Sequence, residues 1–182
     1  IVSLPFSVES INRREVASKT LAVLRKRSDM TISFENDALT SLVPKMAIDK
    51  AFKLMNAIME RPLIDLSKVM SDNDISMMRQ LSQRSSTYKL GVGLGRGAMR
   101  DVDAPKEALH SPWFDFEKED VTSAILIISS YPIDQGEVRG IIRDLQNALP
   151  NARLMTGYYE DPLLGDKLRV TLLVGKPLLG GE

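Results

Sequence analysis

The chain has 182 residues, 43% of them hydrophobic and 26% charged, and its 24 basic and 24 acidic side chains give zero formal net charge. That balance argues against a protein that grips nucleic acid by neutralising phosphates. Cysteine is absent and His110 is the single histidine, which excludes a disulfide scaffold, a thiolate metal centre, a cysteine nucleophile and a multi-histidine metal site.

The longest apolar run, residues 124–128, falls far short of the roughly 18 residues that a transmembrane helix needs. No signal-peptide pattern opens the chain. The expectation is a soluble, cytoplasmic protein with no direct membrane insertion. Ile1 stands where an initiator Met would, as in a segment of a longer protein.

Residues 1–6 (IVSLPF) are apolar and rich in β-formers, and Pro5 confines them to a sheet edge or a strand end. Residues 11–27 read as a helix, because Ala17, Leu21 and Leu24 recur at i, i+4 and i+7 among Arg13, Arg14, Lys19, Arg25 and Lys26. Residues 30–34 (MTISF) alternate like a strand. Glu35-Asn36-Asp37 breaks it, with Asn36 or Asp37 set to cap a short helix. Pro44 suits the first turn of a longer helix in which Ile48, Phe52, Met55 and Met59 form one buried stripe. Pro62 is expected to end or kink it, leaving residues 63–70 as a second segment with Leu63, Leu66 and Met70 on one side. Six of the nine methionines fall between Met46 and Met78, a pattern open to core filling or to a cofactor or partner groove. Residues 71–74 (SDND) interrupt, and residues 75–83 read as a further helix.

From Tyr88 the pattern changes. Residues 88–94 read as a strand entering a glycine-rich turn, and residues 104–110 as a short helix. Residues 122–130 (TSAILIISS) are apolar enough for the centre of a sheet. Residues 136–149 are amphipathic, with Val138, Ile141, Ile142, Leu145 and Leu149 inward and Asp134 as N-cap. Residues 152–159 and 167–174 are two more strands, and residues 178–182 a frayed end. The β-α-β-α-β-β order predicts an α+β fold (an α/β sandwich). Its four-stranded sheet would carry both helices on one face, with strand 122–130 interior.

Two clusters could carry chemistry. Gly93, Gly95 and Ala98 fit G-x-G-x-x-A after a strand, as a dinucleotide site would require. Gly91, Gly93 and Gly95 also alternate with period two, which suits a helix packed closely on one face, and Val102-Asp103-Ala104-Pro105 separates them from the expected helix. Asp72 and Asp74 could hold Mg²⁺ or Ca²⁺ or orient a water, or Asp74 or Asn73 could simply cap the helix at Ile75. His110 reads as a helix cap or surface residue, and Ser85, Ser86 and Thr87 have no His–Asp relay beside them. Composition and spacing name no enzyme.

Taken in order, the segments resemble a known family. Val2-Ser3-Leu4-Pro5-Phe6, Arg13-Arg14, Leu24-Arg25, Asp29 and Glu35-Asn36-Asp37 resemble FtsZ/tubulin sequences downstream of the phosphate-binding half of their GTPase domain. Ala51-Phe52 and Asn56 are similar to the "AF…N" of the family's central helix. The run Lys89 to Gly97 with Arg100 is similar to its "MGIGxGKGxxR" strand. Ser111-Pro112 resembles the "SPLL" corner, and Gly157, Leu164, Asp166 and Leu168-Arg169-Val170-Thr171 resemble the "G…L.DE.RVTV" ending.

The resemblance implies three parts: a C-terminal remnant of a GTP-binding domain (1–43), a central helix with its acidic loop and following helix (44–83), and the family's C-terminal domain (84–182). It implies a divergent cytoskeletal GTPase of cell division or cell shape that polymerises head to tail. Its partners would be copies of itself and cell-division proteins, with no nucleic acid. GTP and Mg²⁺ belong to the full-length protein, and the 182 residues alone are expected neither to bind GTP tightly nor to hydrolyse it. Carried over by position, Asp74 matches the first acid of the loop that reaches the next subunit's γ-phosphate, while Met77 stands in place of the second. Asn36, Asp49 and Phe52 fall on the nucleotide side, and Lys50 stands where the guanine-contacting Asp is usual. No metal ligand is assigned. The alternatives are a non-catalytic interaction or scaffold module that kept the fold, and an unrelated α+β enzyme using Asp72 and Asp74 with a metal.

Overall fold

The computed structural model describes residues 1–42, 48–82, 87–114 and 117–176. In chain order the elements are β1 (Val2–Leu4), α1 (Ile11–Arg27), β2 (Thr31–Glu35), α2 (Asn36–Leu42), α3 (Ile48–Val69) and α4 (Asp72–Ser82). They continue as β3 (Thr87–Arg96), α5 (Arg100–Leu109), β4 (Ser123–Ser130), α6 (Gln135–Ala148), β5 (Arg153–Glu160) and β6 (Lys167–Lys176).

The sheet has six strands, in the order β1-β2-β3-β6-β4-β5, rather than the four expected from residues 88–174. The two additional strands join through a short parallel pairing, Thr31 with Thr87 and Ile32 with Tyr88. Around that seam β1 runs parallel to β2 and β4 parallel to β5, whereas β6 is antiparallel to both β3 and β4.

Two cores cover the two faces. On one, Ala104 and Ala108 of α5 and Val138, Ile141 and Leu145 of α6 pack on Leu126, Ile128, Leu168, Val170 and Leu172. On the other, Met55 and Leu66 of α3 pack on Phe34, Tyr88, Leu90, Ile125, Ile127 and Leu173. Both C-terminal helices therefore lie on one face, as expected. Strand β4, covered on both sides, is buried at all eight positions.

Capping explains the helix limits. The Ser10 hydroxyl accepts the Arg13 N–H at 3.3 Å and starts α1, while Asp134 accepts the Gly136 and Glu137 N–H groups at 2.6 and 2.9 Å and starts α6.

Several local expectations are corrected. Pro62 does not end α3, which runs for 22 residues, about 33 Å at 1.5 Å per residue. The ring removes one helical donor, but Asp65 and Leu66 immediately beyond it are buried against the sheet and hold the next turn in place. The α3 stripe is also narrower than expected: Met55 is buried, whereas Phe52 and Leu63 are exposed. Met59, Met70 and Met78 pack against the second core, so these methionines fill core space. Helix α5 begins at Arg100, directly after the glycine run, and α4 begins at Asp72, within the expected break. The expected start at Pro44, Ser85, Ser86 and the end at 178–182 lie outside the described residues. Among the described residues, no helix is long and apolar enough to cross a membrane.

Candidate functional site

Strands β1 and β2 are parallel, so both end at the same rim of the sheet, where α/β folds bind ligands. The chain leaves β1 through Pro5-Phe6-Ser7 and leaves β2 through Asn36-Asp37. Asp37 ties the two exits together by accepting the Ser7 N–H at 2.9 Å and the Ser7 hydroxyl at 3.1 Å. Phe52 of α3 meets Phe6 edge-on, with ring centroids 6.3 Å apart. Asp49 precedes Phe52 by three residues and shares its side of the helix. Asn36, half-buried at the first residue of α2, and Phe52 thus flank the same Phe6–Ser7 segment.

Asp74 lies at the other end of α3. Seventeen residues separate Phe52 from Val69, about 26 Å of helix, before the chain turns into α4. The Asp74 Oδ2 atom accepts the Ser71 N–H at 2.8 Å and the Ser71 hydroxyl at 2.6 Å. The Ser71 carbonyl in turn accepts the N–H groups of Asp74 and Ile75 at 3.0 and 3.2 Å. Ser71 is thus the N-cap of α4 and Asp74 its third-position acid, which makes the carboxylate half of a capping box: it accepts the Ser71 N–H rather than those of a helix beginning at Ile75, and the Ser71 hydroxyl donates to the same oxygen. The two Ser71 bonds hold the Asp74 carboxyl below its ordinary value, and it stays ionised at neutral pH. Met77, one turn on, is exposed.

The glycine run is structural. A Cβ at Gly91 would collide with the Ala108 carbonyl, one at Gly93 with the Ala104 carbonyl, and one at Gly95 with the Arg100 backbone. Helix α5 fills the face that a dinucleotide would need, and Gly97, with φ of 62°, makes the turn into it. His110 ends α5, its Nδ1 lying 2.6 Å from the Lys106 carbonyl oxygen. Beside it the Ser111 hydroxyl donates to the Leu90 carbonyl at 2.7 Å and Trp113 Nε1 donates to the Glu35 carbonyl at 3.1 Å, fastening the corner to β3 and β2.

Sequence reading missed Asp65, whose side chain on α3 is fully buried. Its Oδ1 accepts the Tyr159 hydroxyl at 2.7 Å, Arg61 at 3.3 Å and Arg169 at 3.4 Å, and its Oδ2 accepts the Thr171 hydroxyl. The only signal in the sequence was an acid beside the inward-facing Leu66. Among the described residues, no three His, Asp or Glu side chains come together as a metal site.

No family model matches the chain. Over 180 residues it is 28% identical to "Cell division protein FtsZ 1" of Pyrococcus horikoshii, covering 96% of this chain and 48% of that protein. An FtsZ dimer structure from M. jannaschii superposes with a TM-score of 0.86 at 24% identity, over 96% of this chain and 53% of that one. The chain is FtsZ-like. CetZ2 of Haloferax volcanii, in a GTPγS-bound protofilament, shares the fold, superposing with a TM-score of 0.71 at 16% identity over 97% of this chain and 55% of that one. The FtsZ-like chain spans about half the length of the curated relatives it matches.

Proposed function

We propose that these residues are the C-terminal part of a cytoplasmic FtsZ-like cytoskeletal GTPase that acts in cell division or cell shape and polymerises head to tail. In this reading residues 1–43 complete a GTP-binding domain, 44–83 are the central helix and acidic loop with the helix after it, and 84–182 form the C-terminal domain. GTP, with Mg²⁺, is the substrate of the longer protein. Asn36, Asp49 and Phe52 flank its base, and Asp74 serves the γ-phosphate of the next subunit. The observation that carries the reading is the length of α3. Some 26 Å of helix parts the nucleotide-side residues from Asp74, so one molecule cannot bring both to one nucleotide, whereas two stacked molecules can.

The chemistry asked of Asp74 is modest. An ionised carboxylate next to the phosphate orients and polarises the attacking water, and most of the remaining catalysis is positioning and charge stabilisation. The two Ser71 bonds orient that carboxylate. A second reading, a non-catalytic scaffold with the same fold, is favoured by Met77, which carries no charge to act on water.

The test is phosphate release and sedimentation of the longer protein with GTP. The GTPase reading expects turnover that rises with polymer formation and falls on Asp74→Ala. The scaffold reading expects no turnover in either protein.

A further inference from the structure

The buried Asp65 cluster has no part in the proposed chemistry, yet it is the most heavily bonded polar group where α3 meets the C-terminal strands. It joins Arg61 and Asp65 on α3 to Tyr159 on β5, Asp161 just beyond it, and Arg169 and Thr171 on β6. Arg169 also bonds the Tyr159 hydroxyl at 3.0 Å and Asp161 at 3.2 Å. The Asp65 side chain is 1% exposed and that of Arg169 12% exposed, so solvent screens their pairing little. One turn further on, Val69 packs so closely on β5 that a Cβ at Gly157 would lie 2.9 Å from it.

The front half of α3 is anchored differently. It is held by apolar packing, with Met55 buried in the core under the sheet and Phe52 leaning on Phe6, which belongs to the β1–α1 connection. Between the two anchorages stands Pro62, which gives the Ile58 carbonyl no helical donor, so the backbone ladder is weakest there.

We infer that Asp65 is a positioning residue: it locks the rear half of α3 onto β5 and β6, so that the Ser71–Asp74 cap is carried by the C-terminal strands rather than by the front of the helix. The inference rests on the proposed function only in what Asp74 does, not in what holds it. Deleting one donor at a time loosens the lock without leaving a buried charge unpaired. Tyr159→Phe and Thr171→Val each remove a single hydroxyl, whereas Asp65→Asn keeps the shape and removes the charge.

The deciding experiment is amide hydrogen exchange on the protein and these variants. Exchange across residues 63–75 should rise about tenfold in Tyr159→Phe and Thr171→Val, and more in Asp65→Asn, while amides of β3 and α6 keep their protection. An equal rise in β3 and α6 would mean that Asp65 supports only global stability, and no rise in 63–75 would mean that it locks nothing; either overturns the inference. If Asp65→Asn does not fold, the two hydroxyl variants decide alone. A second readout uses the longer protein: Tyr159→Phe should lower kcat for GTP about three- to tenfold with KM unchanged, because the site that binds the nucleotide is untouched. A change in KM at constant kcat counts against the inference. Absence of turnover in the unmodified protein would refute the proposed function and leave the exchange result standing.

Discussion

Arg100 and Glu137 form a forked pair, with Nε to Oε1 at 2.8 Å and Nη2 to Oε2 at 2.9 Å, that ties the first turn of α5 to the first turn of α6. Both side chains are largely buried, at 13% and 21% exposure, and the Glu137 bond raises the Arg100 pKa. A lysine cannot reproduce two parallel N–H···O bonds. Arg100→Lys should therefore cost about 2 kcal/mol in urea unfolding, nearly as much as Arg100→Ala.

The glycines of β3 and α6 should respond in opposite directions. At Gly93 an added methyl meets the Ala104 carbonyl and the Ala108 N–H, backbone atoms that cannot swing aside. Gly93→Ala should destabilise by about 3 kcal/mol, the upper part of the overpacking range. At Gly140, on α6, a Cβ meets nothing within 4 Å. Gly140→Ala should stabilise by about 0.5–1 kcal/mol by restricting the unfolded chain. Denaturation midpoints of the two variants should move apart.

Alkaline stability should depend on Tyr159. Burial, and then the hydroxyl's bond to Asp65, raise its pKa above the ordinary 10.0. The folded state thus holds the phenol proton more tightly than the unfolded chain. The associated stability is complete below about pH 10 and is lost as the pH rises through the higher folded value. Unfolding free energies measured from pH 8 upward should fall more steeply above pH 10 for the native protein than for Tyr159→Phe.

Ser71 and Asp74 can be separated by experiment. Ser71→Ala removes the hydroxyl bond and keeps the acid with its backbone bond, whereas Asp74→Ala removes the acid and both bonds. Since the folded Asp74 pKa lies below the ordinary 3.8, its contribution to stability is present above that value and lost as the pH falls through the folded pKa. Both variants should melt earlier at pH 7, and the difference from the native protein should shrink towards pH 2. In the longer protein Asp74→Ala should lower GTP turnover by about 10²–10⁴, whereas Ser71→Ala, which leaves the acid one of its two orienting bonds, should lower it by no more than about tenfold. Equal turnover in the two variants would leave Asp74 a cap alone.

What could be read from the sequence was local. Periodicity gave α1 and α6 nearly residue for residue, Asp134 announced its own cap, and the alternating glycines foretold α5 lying close on β3. Pairings between distant residues left no such trace. The seam that adds β2 to the sheet depends on two residue pairs separated by 56 positions. Asp65 meets partners 94 to 106 residues away, and nothing in its own neighbourhood on α3 announces them. Pro62 misled for a related reason, because a breaker is judged by local propensity while burial of the following turn decides whether the helix continues. At the candidate site, Ser71-x-x-Asp74 carried the capping-box signature.

Strand β6, latest of the six in chain order, lies between β3 and β4 and is the hydrogen-bonded partner of both along their lengths. A ribosome delivers β3 about seventy residues before it delivers the strand that completes the sheet. Until then, two apolar strand edges wait in the nascent chain with nothing to zip against, a state prone to pairing with other chains. Synthesis of this polypeptide therefore has a vulnerable interval. Chaperone dependence and ribosome pausing before Lys167 should affect its yield far more than pausing anywhere earlier in the chain.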